Sequence, residues 1–368
     1  MQCRWTWLPL GVLVASCHLP SRSIESSPDP DLGLDAAGVE EACVERFCDD
    51  GVTVKMQPPT FLCSRYWRDA SNRGRTVKPI AKLDFPCFAR SPLGQKLEIL
   101  SVRGEPISAV RLFPHLREVA FRETALQDIS VLGEMKELRR IDLSGSQVKD
   151  LSSLCRLPLL QRLDASMTPL TRLPDEPLGT LTWLDIGGSP VRDLSPLSRL
   201  TALENLRVGN EDVDSLSFLR PLVRLEGLRV WGHAIADLAP LSDLRKLQWL
   251  GLTGLQLSDL EALTATDLRS LALGSGRVDS LAALERMPRL EDLALSRLEV
   301  GDLSPVWRLR GLKSLALREV DLRDLEPLAQ LTNLRELKLS DVPVTDLRPL
   351  ERLPNLETLE IDHQPIEL

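Results

Sequence analysis

Thiols, imidazoles, carboxylates and indoles are the groups of this 368-residue chain that could carry chemistry. Nucleophilic catalysis needs a base within hydrogen-bond reach of the nucleophile, oriented in turn by a third group. His115, His233 and His363 are scattered, and none has a nucleophile or metal-ligand partner at useful spacing. Cys155, between Leu154 and Leu157, has no histidine in the stretches on either side and reads as a buried, unpaired thiol. The sequence contains no Gly-x-Ser-x-Gly, no phosphate loop and no His-Glu-x-x-His. Its carboxylates recur at regular intervals, which is a structural pattern and singles out no acid–base pair. No catalytic residue, metal or cofactor is therefore expected.

Four thiols do cluster. Cys43, Cys48, Cys63 and Cys87 follow an N-terminal stretch whose first 16 residues read as an export signal. Arg4 is its sole charge, and the apolar run from Trp5 to Ala15 is too short to span a bilayer core of roughly 30 Å. Clustered cysteines in an exported protein point to two disulfides. Val39, Cys43 and Phe47 share one face of a helix expected over 37–48, which Asp49-Asp50-Gly51 stops. Cys43 and Cys48 then point apart, so each is expected to pair with Cys63 or Cys87, with both assignments open. Zinc would need tight Cys-x-x-Cys pairs, which are absent here. Residues 37–96 are thus expected to form a cap, with Phe47, Phe61, Tyr66, Trp67, Phe85 and Phe88 as its bulk.

Val14-Ala15-Ser16-Cys17 resembles a bacterial lipobox. The resemblance implies cleavage before Cys17, diacylation of its sulfur and acylation of the new N-terminus. Several acyl chains anchor stably where one does not. The alternative is an ordinary signal peptide cleaved nearby. Residues 18–36, rich in Ser, Pro and Asp, read as a disordered tether belonging to a lipidated segment 17–36. His18, where Asp would suggest inner-membrane retention, favours the outer membrane of a bacterial cell envelope.

From Leu97 to the end the chain repeats itself. Copies begin at Leu97, Leu116, Leu138, Leu160, Leu181, Leu203, Leu225, Leu247, Leu268, Leu290, Leu312, Leu334 and Leu356, mostly 22 residues apart. In "LTWLDIGGSPVRDLSPLSRLTA", residues 181–202, the first part alternates apolar and polar, as a short strand does. The second part has Leu194, Leu197 and Leu200 three apart, which fits a 3-10 or short helical turn. Pro196, Pro240, Pro305, Pro327 and Pro349 suit the start of that turn. Asp193, Asp237, Asp302, Asp324 and Asp346 precede it and can accept from its free N–H groups. One copy cannot bury its own leucines, and stacked copies can.

This pattern resembles the leucine-rich repeats, and the 22-residue length with Asp-Leu-x-Pro-Leu is similar to the bacterial internalin-like subclass. The resemblance implies an α/β repeat solenoid over 97–368: a curved horseshoe with a parallel sheet on its concave side and turns on its convex side. It departs from the family at the ninth position. Asparagine is usual there, but this chain has Thr124, Ser146, Thr168 and Ser189 early and Leu255, Leu298, Val320 and Val342 later. Hydroxyls can partly replace the amide, and the later residues cannot. The last strand is expected to be an exposed edge, guarded by Glu357, Glu360 and Asp362.

The third, fifth and seventh residues of each strand are expected to face the concave solvent. Trp183, Trp231 and Trp249 fall there, and interfaces favour tryptophan as an anchor. Trp231 and Trp249 lie on adjacent strands, close enough for contact. Arg207 and Arg229 share the fifth position and could fork to a carboxylate or phosphate, with Asn205 nearby. Glycines at 227, 251 and 274 leave the backbone open beside them. The alternative is that these tryptophans fill the surface by packing on each other. Mixed charges on either side, including Arg162, Asp164 and Asp185, read as a solvated face. The net charge of −8 argues against nucleic acid. The expected role is membrane-anchored, monomeric protein–protein recognition through the concave face. The alternatives are an adhesin-like virulence or predation factor, a structural envelope protein without a specific ligand, and an enzyme hidden in the cap.

Overall fold

The computed structural model describes residues 107–366 apart from 323, 345 and 363, together with the backbone of 2–8, 12–18, 53–56, 60–61 and 99–101. The chain divides into two units, Met1–Glu41 and Ala42–Leu368. In the first, β1 (Gln2–Leu8) pairs antiparallel with β2 (Val12–His18), which carries Cys17. The expected helix over 37–48, the tether and the four clustered cysteines lie outside the described residues.

In the second unit an antiparallel pair, β3 (Thr53–Met56) and β4 (Thr60–Phe61), lies on the edge of a long sheet, where β3 joins β5 (Ile99–Ser101). From β5 the sheet is parallel for thirteen strands. After β5 itself they are β6 (Glu118–Ala120), β7 (Arg140–Asp142), β8 (Arg162–Asp164), β9 (Trp183–Asp185), β10 (Asn205–Gly209), β11 (Gly227–Ile235), β12 (Trp249–Leu257), β13 (Ser270–Val278), β14 (Asp292–Val300), β15 (Ser314–Arg318), β16 (Glu336–Ser340) and β17 (Thr358–Ile361). Each copy contributes one strand, paired with the next copy's strand at the same repeat position: Leu206 opposite Leu228, and Leu228 opposite Leu250.

Alternation along each strand decides which side chains go inward. In β10, Leu206 and Val208 are buried while Asn205 and Arg207 are half-buried. The turns close the other side of the core, with Leu197, Leu219, Leu241 and Leu263 all fully buried. Most turns are 3-10; Ser304–Trp307 closes as α-helix and buries Trp307. Each fully buried leucine contributes about 1.5–3 kcal/mol, and it does so only against a neighbouring copy.

The aspartates act as their spacing suggests. The side chains of Asp128, Asp150, Asp193, Asp237, Asp259, Asp302, Asp324 and Asp346 each accept from the backbone N–H two residues on, at 2.7–3.0 Å. The Ser130 N–H holds the carboxyl of Asp128 below its usual range; for Asp150, Asp193 and Asp302 the serine side chain two residues on does so first and its N–H second, and for Asp346 the Arg348 guanidinium, then its N–H, brings the carboxyl down to about 2. Proline begins the turns at Pro196, Pro240, Pro305, Pro327 and Pro349.

The missing asparagines are replaced in two ways. Early in the solenoid the hydroxyls bond the backbone: Thr124 donates to the Phe121 carbonyl at 3.0 Å, and Thr168 and Ser189 both donate to that of Ala165, at 2.7 and 2.9 Å. Asn210 works from one position earlier, its amide donating to the Ser189 and Val191 carbonyls. From β11 to β14 the strands instead run on for nine residues. There the ninth-position groups join a second stretch of ladder, with Leu255 opposite Gly276 and Gly276 opposite Leu298. The backbone is satisfied by the neighbouring strand, so the side chain is free to be apolar.

Two expectations are corrected. The last parallel strand is not the edge, because β18 (Gln364–Ile366) folds back antiparallel onto β17 through Asp362, whose left-handed φ of 47° reverses the chain. Pro365 lies in the new edge and offers it no N–H. Cys155 is half-buried, not buried. It is unpaired and donates to the Glu176 carbonyl at 3.2 Å, and burial raises its thiol pKa.

Two ninth positions, one in the lengthened strands and one whose hydroxyl bonds nothing, predict opposite sensitivities. Leu255→Asn places an amide among leucines where the backbone no longer needs it, and should lower the urea unfolding free energy by about 2–4 kcal/mol. Ser146→Ala removes a buried hydroxyl that has no hydrogen-bond partner, and should change it by less than about 1 kcal/mol.

Candidate functional site

The open face of the sheet is written in rows, because register places equal repeat positions side by side. The third-position row runs Arg162, Trp183, Asn205, Gly227, Trp249 across β8–β12. The fifth-position row runs Asp142, Asp164, Asp185, Arg207, Arg229, Gly251 across β7–β12. In the seventh-position row Gly209 pairs with Trp231, and Trp231 with Thr253. Trp183, Asn205, Arg207, Arg229, Trp231 and Trp249 are all half-buried. The six residues singled out from sequence therefore share one patch on β9–β12, about 14 Å across at roughly 4.8 Å per step between strands.

Within the patch the tryptophans do not meet as expected. Trp249 stands opposite Gly227 and Trp231 opposite Thr253, so they are four residues apart along the strands, about 13 Å at 3.3 Å per residue. Trp231 turns away from Trp249 and lies back along its own row. A Cβ at Gly187 would stand inside the Trp231 ring, and one at Gly209 would meet both its backbone and its ring. Gly209 also has a φ of 151°. These two glycines form the floor of a slot for one indole. Sequence reasoning noted open glycines but not this pair, whose signal is their shared row with Trp231.

The other two indoles are held by guanidiniums. Arg162 stacks on Trp183 at 4.5 Å from the ring centroid, and Arg207 approaches the same ring at 5.8 Å. Arg229 lies 5.9 Å from the centroid of Trp249. Such contacts each contribute about 0.5–2 kcal/mol, more as they lose water. Arg162 thus belongs to the site, not to a merely solvated flank.

The fifth-position row also carries more than a solvated face. Asp142, Asp164 and Asp185 are consecutive, and Asp142 and Asp185 are buried. Their carboxylates accept from the backbone N–H groups of Ser144, Ser166 and Gly187 at 3.1, 3.0 and 2.9 Å. Burial, then the charge of Asp164, pushes the Asp185 carboxyl up to about 6 against the opposing pull of Gly187 N–H, Arg207 and Arg229. Arg207 sits 3.7 Å from Asp185. Burial, then Arg207, brings the Arg229 guanidinium down to about 10. The site is therefore a junction where a ladder of carboxylates meets a pair of arginines in register.

Among the described residues no group of three or more His, Cys, Asp or Glu side chains could hold a metal ion. His115 approaches Glu137 at 3.4 Å, far from the patch, and His233 is exposed. No helix of the described residues is long and apolar enough to cross a membrane.

Solved structures share this architecture. An internalin from Listeria monocytogenes superposes with a TM-score of 0.61 at 24% identity, over 77% of this chain and 84% of its own. The chain folds as a leucine-rich-repeat solenoid. A leucine-rich-repeat protein of Leptospira interrogans gives a TM-score of 0.49 at 18% identity, over 76% of the solenoid's chain and 87% of its own. No family model matches the sequence, and neither does any curated protein.

The slot and the ladder each make a prediction about the solenoid. Gly187→Ala should expel the Trp231 indole, shifting tryptophan emission to the red and costing about 1–3 kcal/mol; the red shift should vanish when Trp231→Phe is combined with it. Asp185, with its carboxyl raised above the unfolded value, binds a proton more tightly folded than unfolded. Its contribution to stability is therefore lost as pH rises from about 4 through 6. The gain in urea midpoint between pH 7 and pH 5 attributable to it should disappear in Asp185→Asn, and an unchanged pH profile in that variant would refute the assignment.

Proposed function

We propose that the solenoid is a protein-binding module of the bacterial cell envelope, not an enzyme, and that it captures its partner on the open, concave face around Trp183, Asn205, Arg207, Arg229, Trp231 and Trp249. The observation that carries this reading is the Trp231 slot. Two glycines of neighbouring copies give up side chains so that one large apolar ring can lie half-open at the centre of a charged face. Buried interface anchors are enriched in tryptophan and arginine for their large, rigid contact area and their forked donors. Arg207 and Arg229 repel one another across adjacent strands, and a partner carboxylate placed between them relieves that repulsion while accepting two forks.

Anchoring is the second element of the reading. Val14-Ala15-Ser16-Cys17 would place lipid on Cys17, and the segment 18–36 would hold the solenoid off the membrane, with the outer membrane favoured. The cap over 37–96 would cover the first copies, pinned by disulfides among Cys43, Cys48, Cys63 and Cys87. The 22-residue copies with their Asp-Leu-x-Pro-Leu turns support an internalin-like solenoid, which we read as a monomer.

The test is crosslinked capture by the intact chain in its own envelope, followed by titration of the recovered protein against purified variants. Trp231→Ala and Trp249→Ala, on separate rungs, should each weaken binding by about tenfold or more, the scale of an interface anchor. Circular dichroism melting checks that both variants still fold. Equal affinity of the double variant and the unaltered chain would remove the patch from the proposal.

A further inference from the structure

Apolar surface gathers at the far end of the Trp231 slot, on side chains that come from opposite copies. Met167 has a left-handed φ of 55°, and among the described non-glycine residues with such a φ it is the one large apolar side chain. It is 69% exposed. Gly187 and Gly188 form the turn after β9, with Gly187 buried and Gly188 exposed. A Cβ at Gly187 would stand inside the Trp231 ring, and one at Gly188, where φ is 71°, would meet the Met167 Sδ. The ring of one copy and the thioether of another thus converge on consecutive residues, about 3.8 Å apart at Cα. Met167 N–H donates to the Gly187 carbonyl at 2.8 Å, and Gly188 N–H donates to the Gly209 carbonyl at 2.9 Å. Backbone bonds therefore fix the base of this surface.

Covering the backbone does not require a methionine there. Two copies earlier Glu123, also left-handed, lies over Gly145, its Cγ 3.3 Å from where a Cβ would stand. That exposed side chain serves the same place with its carboxylate in water, whereas Met167 leaves a thioether exposed. A flexible, polarizable thioether suits a surface that adapts to an apolar guest, and the ring held in its slot supplies a rigid second wall. The surface also adjoins the arginine pair. Arg207 stands opposite Asp185, two residues before Gly187, so one strand step and two residues separate it from the turn, about 8 Å. Alternate side chains of an extended segment are about 7 Å apart.

We propose that Met167, Gly188 and Trp231 form a seat for an apolar side chain of the protein partner, carried two residues from the carboxylate that Arg207 and Arg229 take. This rests on the concave-face reading and adds to it the class of segment recognised. The segment is extended, with a leucine-sized residue and an acidic residue at alternate positions. Its apolar side chain lies above Gly188, between thioether and ring, in space that a side chain at 188 would fill. Its carboxylate meets the guanidiniums one strand away.

The experiment uses the full chain with isotope-labelled methionine methyls and a blocked peptide, Ser-Leu-Ser-Glu-Ser. Comparison peptides replace the leucine by alanine or the glutamate by glutamine. Loss of one methyl signal in Met167→Gln, which keeps an unbranched side chain over Gly188, identifies that of Met167. Saturable movement of this signal by the leucine peptide is expected, with affinities read from tryptophan emission. Alanine in place of leucine, and Met167→Gln in the protein, should each weaken binding by about tenfold; in Met167→Gln the leucine and alanine peptides should bind alike. Glutamate-dependent binding without preference for leucine, or a preference that survives Met167→Gln, would overturn the seat and leave the concave-face reading standing. Equal binding of the glutamine peptide would overturn the pairing with the arginines that the proposal requires. Absence of saturable binding by the leucine peptide would also overturn it, and capture with Trp231→Ala and Trp249→Ala then judges the concave face separately.

Discussion

The hydrogen-bonded step between parallel strands, about 4.8 Å, is the constraint on which the rest of this molecule depends. One strand and one turn are too small to enclose a core, so each leucine is buried only by its counterparts in the copies before and after. The step brings those counterparts into register, and the leucines stack into one continuous interior. The same register acts on the outward positions. Whatever residue type occupies a given position in consecutive copies becomes a row, and like charges in a row repel at short range in a half-buried setting. The carboxylates at 142, 164 and 185 followed by arginines at 207 and 229 are such a row, with one change of sign. Burial first, and then like-charge repulsion on either side of that change, raises the carboxyl of Asp185 and lowers the guanidinium of Arg229. The electrostatic character of the candidate site follows from the sheet's geometry before any ligand is considered.

Interior positions were legible because the interior repeats. Leucine spacing gave the copies, alternation gave the strands, and Asp and Pro gave the turns, each through a local rule that one sequence can display. Positions where copies differ were harder. Leu255 and Leu298 showed that no side-chain amide could serve the ninth position, but not that the strand itself would lengthen to replace it. The left-handed turn off the strand was also hidden. Met167, Arg297 and Glu319 adopt φ near 50° without the glycine that would announce it. Backbone strain of roughly 1–3 kcal/mol at such sites is tolerated because the flanking ladder fixes the residues on both sides. The fold-back of β18 depends on a similar left-handed residue, Asp362, and was missed for the same reason.

The candidate site was legible as a set and not as an arrangement. Assigning outward positions placed Trp183, Asn205, Arg207, Arg229, Trp231 and Trp249 on one face, which the sheet register places side by side. Adjacency of strands was then mistaken for adjacency of side chains. Trp231 and Trp249 occupy different rows, and distance along a strand grows by about 3.3 Å per residue while distance across it grows by about 4.8 Å. Row membership, had it been applied, identifies Gly187 and Gly209 as the residues beneath Trp231. It also promotes Arg162, because third-position neighbours stack.

The glycine floor bears on the choice between a surface-filling indole and a binding one. Glycine in a strand forfeits backbone entropy, about 0.5–1 kcal/mol relative to alanine, as Gly209 does in β10, and Gly187, in the turn after β9, also gives up its side chain under the same ring. A tryptophan needed only to cover backbone could be replaced by ordinary side chains at those two positions, such as the serines that hold the same row at 144 and 166. The arrangement instead lowers the ring until it lies flat along the row, beside the half-buried Arg207 and Arg229. A ring held flat has lost its rotamer freedom before any partner arrives, so less entropy remains to be lost on association. The slot is better understood as preorganisation of an anchor than as repair of a gap, and its position beside the arginine pair is what joins apolar and ionic recognition on one face.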